Sequence, residues 1–262
     1  MNINLKGKHA IICGASKGIG RATAQEMAKN GANITLVARN AEGLEKVRAS
    51  LDVSHGQQHH ILTADFNDPL ALAAKIEAHV KAVGTVHILL NNTGGPAAGS
   101  VHTATAEQFL ATFTQHLLCN HALMQAVLEG MKTAGYGRII NIISTSVKQP
   151  IKGLGVSNTI RGAVANWAKT LAGEVAQFGI TVNNVLPGAT DTDRMAEIIT
   201  GKATKFGKSE DEIRKEEIAA IPAGRFAKPE ELAAAIAFLA SPAAAYINGI
   251  NLPVDGGRTG CL

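Results

Sequence analysis

Three glycines in the octapeptide CGASKGIG have the spacing to hold a phosphate. Gly14 suits a tight turn, Gly18 lets a pyrophosphate approach the backbone, and Gly20 lets the helical segment RATAQEMAKNG pack closely behind the loop. The start of that helix would turn unpaired N–H groups and a partial positive charge toward the anion. About twenty residues further on, where an acidic residue would hold a ribose 2′-hydroxyl, the chain reads VARN. Ala38 offers no carboxylate, and Arg39 follows it. With Lys17 inside the loop, two cations are available to a 2′-phosphate, so the sequence predicts NADP(H) in preference to NAD(H). Plain solvated cations at both positions are the alternative.

A second constellation lies in GVSNTIRGAV. Ser157 and Arg161 are four apart, hence stacked on one helical flank, and off the apolar stripe of Ile160, Val164, Trp167, Leu171, Val175 and Phe178 that Gly179 ends. That flank is expected to face something other than core. A hydroxyl beside a guanidinium suits a carboxylate or a developing oxyanion, but the guanidinium keeps its protons and a serine is a weak acid. Two residues titrate in a useful range. Lys148, four past Ser144 in STSVKQP, follows a central strand and would fall in pKa if desolvated, although a solvated loop lysine is the simpler reading. His116 lies within a long helix, where packing is the commoner role for a histidine. The other histidines, including His59 and His60, show no ligand-like spacing, and no metal site is expected.

These residues need a frame. The runs HAIIC, NITLVA, HHILTA, VHILLN, GRIINII, ITVNNVL and GINLPV alternate with helical patterns, which predicts a seven-stranded, mostly parallel sheet covered on both faces. Helix starts are legible at Asp68–Pro69 and in the capping box TAEQ, Thr105 to Gln108. At 262 residues and 46% hydrophobic, one α/β domain accounts for the whole chain, residues 1–262, without repeat or linker. A dispersed net charge of +4, two Tyr and one Trp argue against nucleic acid and weakly for small anionic ligands. Cys13, Cys119 and Cys261 have no pairing or ligand spacing, and no leader or run of about 18 apolar residues is present, so free thiols and a cytoplasmic location without membrane contact are expected.

GASKGIG, NNTGG at Asn91–Gly95, GRIINIIS ending at Ser144, PGATDT at Pro187–Thr192 and VDGG at Val254–Gly257 together resemble a classical short-chain dehydrogenase/reductase. The resemblance is closest to the 3-oxoacyl carrier-protein reductase branch and implies a single Rossmann domain, doubly wound. It implies cofactor contacts in the glycine loop through Gly14, Ser16, Lys17, Gly18, Ile19 and Gly20, and at Arg39. Asp65 and Phe66 would lie beside the adenine, Asn92 and Gly94 would line the cofactor next to Asn91, which steadies the central strand, and Pro187, Gly188, Thr190 and Thr192 would border the nicotinamide. Residues from about Asp193 to Arg225 would form a substrate lid, and two long helices, about Thr105–Thr133 and Val156–Phe178, would build a homotetramer or dimer. The family pairs its serine with a tyrosine thirteen residues on and a lysine four beyond that. Here those positions are Ser157 and Arg161, and the family's helical asparagine falls at His116.

The resemblance thus supports an oxidoreductase that interconverts a carbonyl and a secondary alcohol, on a small substrate that could be acidic, through Ser144, Ser157 and Arg161 with Lys148 or His116 as proton donor. A nucleotide-binding pseudoenzyme or regulatory subunit without turnover is the second reading, and a non-redox lyase the last.

Overall fold

The computed structural model describes residues 3–261. Seven strands form one parallel sheet in the order β3-β2-β1-β4-β5-β6-β7. They are β1 (His9–Cys13), β2 (Asn33–Ala38), β3 (His59–Thr63), β4 (Ile88–Asn91), β5 (Gly137–Ile142), β6 (Ile180–Pro187) and β7 (Asn251–Val254). Each apolar run in the sequence becomes a strand because a parallel sheet is buried on both faces and needs no polar alternation. Four runs are trimmed: β3 stops at Thr63, β4 begins at Ile88, β5 stops at Ile142, and β7 begins at Asn251.

On one face lie α1 (Gly18–Lys29), α2 (Ala41–Ala49) and α9 (Pro229–Ala240), whose Met27, Leu44 and Ile236 pack on Ile12, Leu36 and Leu90. On the other lie α3 (Pro69–Val83), α5 (Cys119–Ala134) and α6 (Gly155–Val175), with Ile76, Leu123 and Leu171 against Ile11, Leu89 and Val182. Asp68 caps α3 ahead of Pro69, and the Thr105–Gln108 box caps α4 (Ala106–Phe113). The long helix expected over Thr105–Thr133 is α4 and α5 joined by a π-turn, Thr114–Leu118, that contains His116. In α6 the apolar stripe runs from Val156 to Val175, whereas Phe178 lies beyond the helix and is partly exposed. The helix starts at Gly155, where a Cβ would come within 2.5 Å of the Val101 backbone nitrogen.

Asparagines cross four strands in register. Asn91 Nδ2 donates to Asn141 Oδ1, Asn141 Nδ2 to Asn184 Oδ1, and Asn184 Nδ2 to Asn251 Oδ1, each at 2.8 Å. The row ties the carboxyl-terminal halves of β4, β5 and β6 to the first residue of β7.

The segment expected as a lid contains α7 (Asp193–Phe206) and α8 (Glu210–Ala219), which close over a small core of their own, including Ile199, Ile213 and Phe226. Among the described residues no helix is long and apolar enough to cross a membrane.

Candidate active site

The strand order reverses between β1 and β4, so a crevice opens above their carboxyl ends. The glycine loop forms one side. Gly14 and Gly18 adopt φ of 61° and 56°, which other residues rarely tolerate. A Cβ on Gly14 would lie 2.6 Å from the Asn92 carbonyl oxygen, and one on Gly20 would lie 2.3 Å from the Gly14 carbonyl oxygen. Asn92 holds this packing by donating from Nδ2 to the Cys13 carbonyl at 3.2 Å. Ser16 and Ile19 complete the loop, half-buried. Gly94 has open space beside it, with nothing within 4 Å of where a Cβ would stand. A crowded turn behind and free room in front fit a dinucleotide laid across the crevice.

At the β2 end, Arg39 is exposed and Asn40 caps α2 by accepting from the Gly43 N–H at 3.0 Å. Ser16 approaches the same turn, 3.4 Å from where a Gly43 Cβ would stand. A cation, a hydroxyl and a helix start therefore converge where a 2′-phosphate would lie. Asp65, just past β3, accepts from Asn67 N and Nδ2, and these bonds, with Arg39 nearby, hold its carboxyl below the usual range. Phe66 is half-buried, its carbonyl accepting from the Cys119 thiol at 3.1 Å.

Lys17 does not join Arg39. Its Nζ lies 3.7 Å from Glu197 and 4.0 Å from Asp193, on the first turns of α7, because Thr192 seats that helix over the glycine loop. Arg194 Nη2 also reaches the Pro96 carbonyl at 3.4 Å. Pro187 ends β6, Gly188 is pressed so near Asp255 that a Cβ would be 2.6 Å from its Cα, Thr190 donates to the Gly188 carbonyl, and Thr192 caps α7. These expected nicotinamide neighbours follow one another into the crevice.

A cavity of about 790 Å³ opens beside Ser144, Thr145, Pro187 and Gly188. Ser144 Oγ accepts from Ser146 N at 3.1 Å, which leaves its own O–H to point outward. The other expected catalytic residues do not line this cavity. Arg161 is 8% exposed, correcting the expectation that its flank faces away from the core: Nη1 donates to the Ile142 carbonyl at 2.7 Å and Nη2 lies under Gly95. Burial lowers its pKa to about 10, still well above neutrality. Ser157 is half-buried on the same helix, four residues before it. His116, 1% exposed, pairs its Nδ1 with Thr93 Oγ1 at 2.6 Å while Nε2 is buried without a partner. Burial, then the Arg161 charge, push its pKa down to about 3. A neutral, enclosed imidazole is not a proton donor to the cleft, so His116 leaves that role. Lys148 is half-buried just behind the wall, between Thr145 and Gln149, which do line it.

Sequence reasoning missed Lys152, Arg194, Lys202 and Arg258, all on the cavity wall. Nothing in their local spacing singles them out, since they converge only when α7, the loop after Ser144 and the C-terminal segment come together. It also missed Thr93, whose hydroxyl fixes His116.

Residues 14–259 match a family model described as enoyl-(acyl carrier protein) reductase. The chain is 34% identical over 255 residues to the 3-oxoacyl-(acyl-carrier-protein) reductase of Vibrio cholerae, covering 97% of this chain and 98% of that protein. The chain belongs to the short-chain dehydrogenase/reductase family. It is also 30% identical to an NADPH-dependent reductase of Bacillus subtilis, over 95% of this chain and 96% of the relative. Among solved structures, the L-sorbose reductase of Gluconobacter frateurii complexed with NADPH and L-sorbose superposes with a TM-score of 0.93 at 31% identity, over the full length of both chains. In this family member the residues thirteen and seventeen positions after Ser144 are Ser157 and Arg161.

Proposed function

We propose that this chain is an NADP(H)-dependent oxidoreductase that interconverts a small carbonyl compound and its secondary alcohol. The observation that carries the reading is the glycine loop packed against Asn92, opening beside Ser144 in one continuous crevice. Bound along that crevice, a nicotinamide supplies or takes back the hydride at the substrate carbon. Gly14, Gly18 and Gly20 with the start of α1 hold the pyrophosphate, and Arg39 with the start of α2 holds the 2′-phosphate. Ser144 donates its hydroxyl proton in a hydrogen bond to the substrate oxygen, polarising the carbonyl as charge develops. Lys148, the remaining titratable candidate, delivers the proton, directly or through water, from behind Thr145.

Calorimetry tests the cofactor half. NADPH binds more tightly than NADH by about 1 to 3 kcal/mol, the worth of one or two charge-assisted bonds. Arg39→Asp reverses the order, and equal affinities in the wild type would refute the assignment. NADPH consumption across a panel of ketones and keto acids tests turnover. Tight NADPH binding without consumption on any member favours the second reading, a nucleotide-binding protein without catalysis, which the absence of Ser157 and Arg161 from the cavity wall supports.

A further inference from the structure

The cavity beside Ser144 is unevenly charged. Its wall carries Lys152, Arg194, Lys202, Lys205 and Arg258 against two carboxylates, Glu197 and Glu217. Glu197 is engaged by Arg194 at 3.2 Å and by Lys17 at 3.7 Å. Glu217, on α8, is only 14% exposed and receives two cations at once, Lys202 Nζ from α7 and Arg258 Nη2 at 3.3 Å from the C-terminal segment. Those cations hold its carboxyl below the usual range, against the burial that would raise it. One shielded carboxylate thereby fixes two cations, from separate parts of the chain, and leaves one positive charge in excess there. Lys205, three residues past Lys202, and Lys152, from the loop after Ser144, have no carboxylate partner among the described ion pairs. Between the charged groups the wall is apolar, with Ile151, Met195, Ile198 and Phe206.

The position of the cation pair sets a length. Thr192 lies over Gly18, and Lys202 stands ten residues further along α7. At 1.5 Å per residue the pair is about 15 Å along the helix from the turn that covers the glycine loop. Ser144 lines the same cavity as the pair, so one substrate can touch both.

The geometry points to an anionic substrate whose carboxylate docks between Lys202 and Arg258, on Glu217 as their support, with an apolar chain running from it to the reacting carbonyl at Ser144. This subsite deepens the carbonyl–alcohol reading and rests on it for the identity of the reacting end. It also moves anion recognition away from Arg161, which is committed to the Ile142 carbonyl.

Hexanoate and hexanamide test it, because they share a chain and cannot be reduced. Titrated into the protein saturated with NADP⁺, hexanoate binds at least ten times more tightly than hexanamide. The variant K202Q/E217Q/R258Q removes the set together, so no charge is left buried and unpaired, and the ratio falls to about one. Lys215→Gln, with the same net charge change on an exposed part of α8 outside the cavity, keeps the ratio. If the triple variant melts early, Lys202→Gln alone must still reduce the preference. A ratio near one in the wild type, no binding of either probe, or a preference that survives the triple change overturns the subsite. Activity separates this from the broader reading. A retained hexanoate preference with no NADPH consumption on 5-oxohexanoate supports the subsite and overturns the reductase. Equal kcat/KM for 5-oxohexanoate and its methyl ester supports the reductase and overturns the subsite.

Discussion

Arg161 shows how far a residue's setting can depart from its spacing. Its place four residues from Ser157 predicts an open polar flank, but Gly95 lies close to it and the end of β5 takes its hydrogen bond at the Ile142 carbonyl. A guanidinium held there maintains a positive charge behind Ser144 without touching the cleft. Restoring a phenol and an ammonium with Ser157→Tyr and Arg161→Lys therefore deletes no anion clamp. The double variant should raise NADPH-dependent reduction of neutral ketones, because the Tyr ring would reach past the short serine toward Ser144 and supply an acid tuned by the adjacent ammonium. Unchanged rates on ketones would place the proton source outside this helix. Lys148 makes the complementary case. Lys148→Met should slow reduction by roughly 10² to 10⁴, the usual size of a general-acid contribution. A full wild-type rate in that variant would assign the proton to solvent.

At the scale of elements, the sequence is most legible where one physical rule acts alone. The strand runs His9–Cys13 and Asn33–Ala38 are recovered residue for residue, since double burial leaves a plain apolar string. The caps at Asp68 and Thr105 are likewise local chemistry. The π-turn at Thr114–Leu118 is not legible, because it answers to the fit of α4 and of the turn itself against α6 rather than to its own residues. The cavity wall is invisible for the same reason: Lys202, Glu217 and Arg258 meet only when α7 and α8 fold over the crevice. In the candidate site, the glycine loop and Arg39 can be read from position, whereas the burial of His116 and Arg161 and the pairing of Lys17 need the packing. That pairing has a kinetic sense. A Lys17 that served a cofactor phosphate, as the resemblance implies, would have to leave Asp193 and Glu197 to do so. Asp193→Asn with Glu197→Gln should tighten NADPH binding by a few-fold and speed its association, as expected for exposed ion pairs worth under about 1 kcal/mol. Stopped-flow binding measures it, and slower association in the variant would exclude the competition.

The molecule as a whole carries a histidine group that no motif announces. His9 Nε2 and His79 Nε2 share the Thr35 hydroxyl, at 2.8 and 2.7 Å, and the His60 ring lies 6.1 Å from the first and 5.6 Å from the second. β1, β2, β3 and α3 contribute one residue each. Burial first, then the neighbouring imidazoles, lower His9 to about 4, and burial lowers His79 and His87 as well. A histidine whose folded pKa is depressed binds its proton more readily when unfolded, so its contribution is complete above pH 6.5 and is lost as pH falls through the folded value. His116, at about 3, acts in the same sense. Unfolding free energy measured by denaturant should therefore drop between about pH 6.5 and 4, by roughly 3 kcal/mol from His9 alone. His9→Gln should flatten that slope, and an unaltered slope would show that the carboxylates govern it instead.

The row of amides under the site obeys a rule of parity. Every rung from Asn91 to Asn184 gives its hydrogen in the same direction, toward β7, and the row starts with an oxygen, Asn91 Oδ1, that nothing answers. Turn over any inner rung and two mismatches arise together, oxygen against oxygen on one side and NH₂ against NH₂ on the other. The row therefore has two self-consistent settings and no cheap intermediate, much as a sentence copied with one letter reversed is wrong on both sides of the error. A carboxylate written in at Asn141 would have no hydrogen to pass on, and the message would stop at β5. Strand alignment at the floor of the crevice thus carries a direction as well.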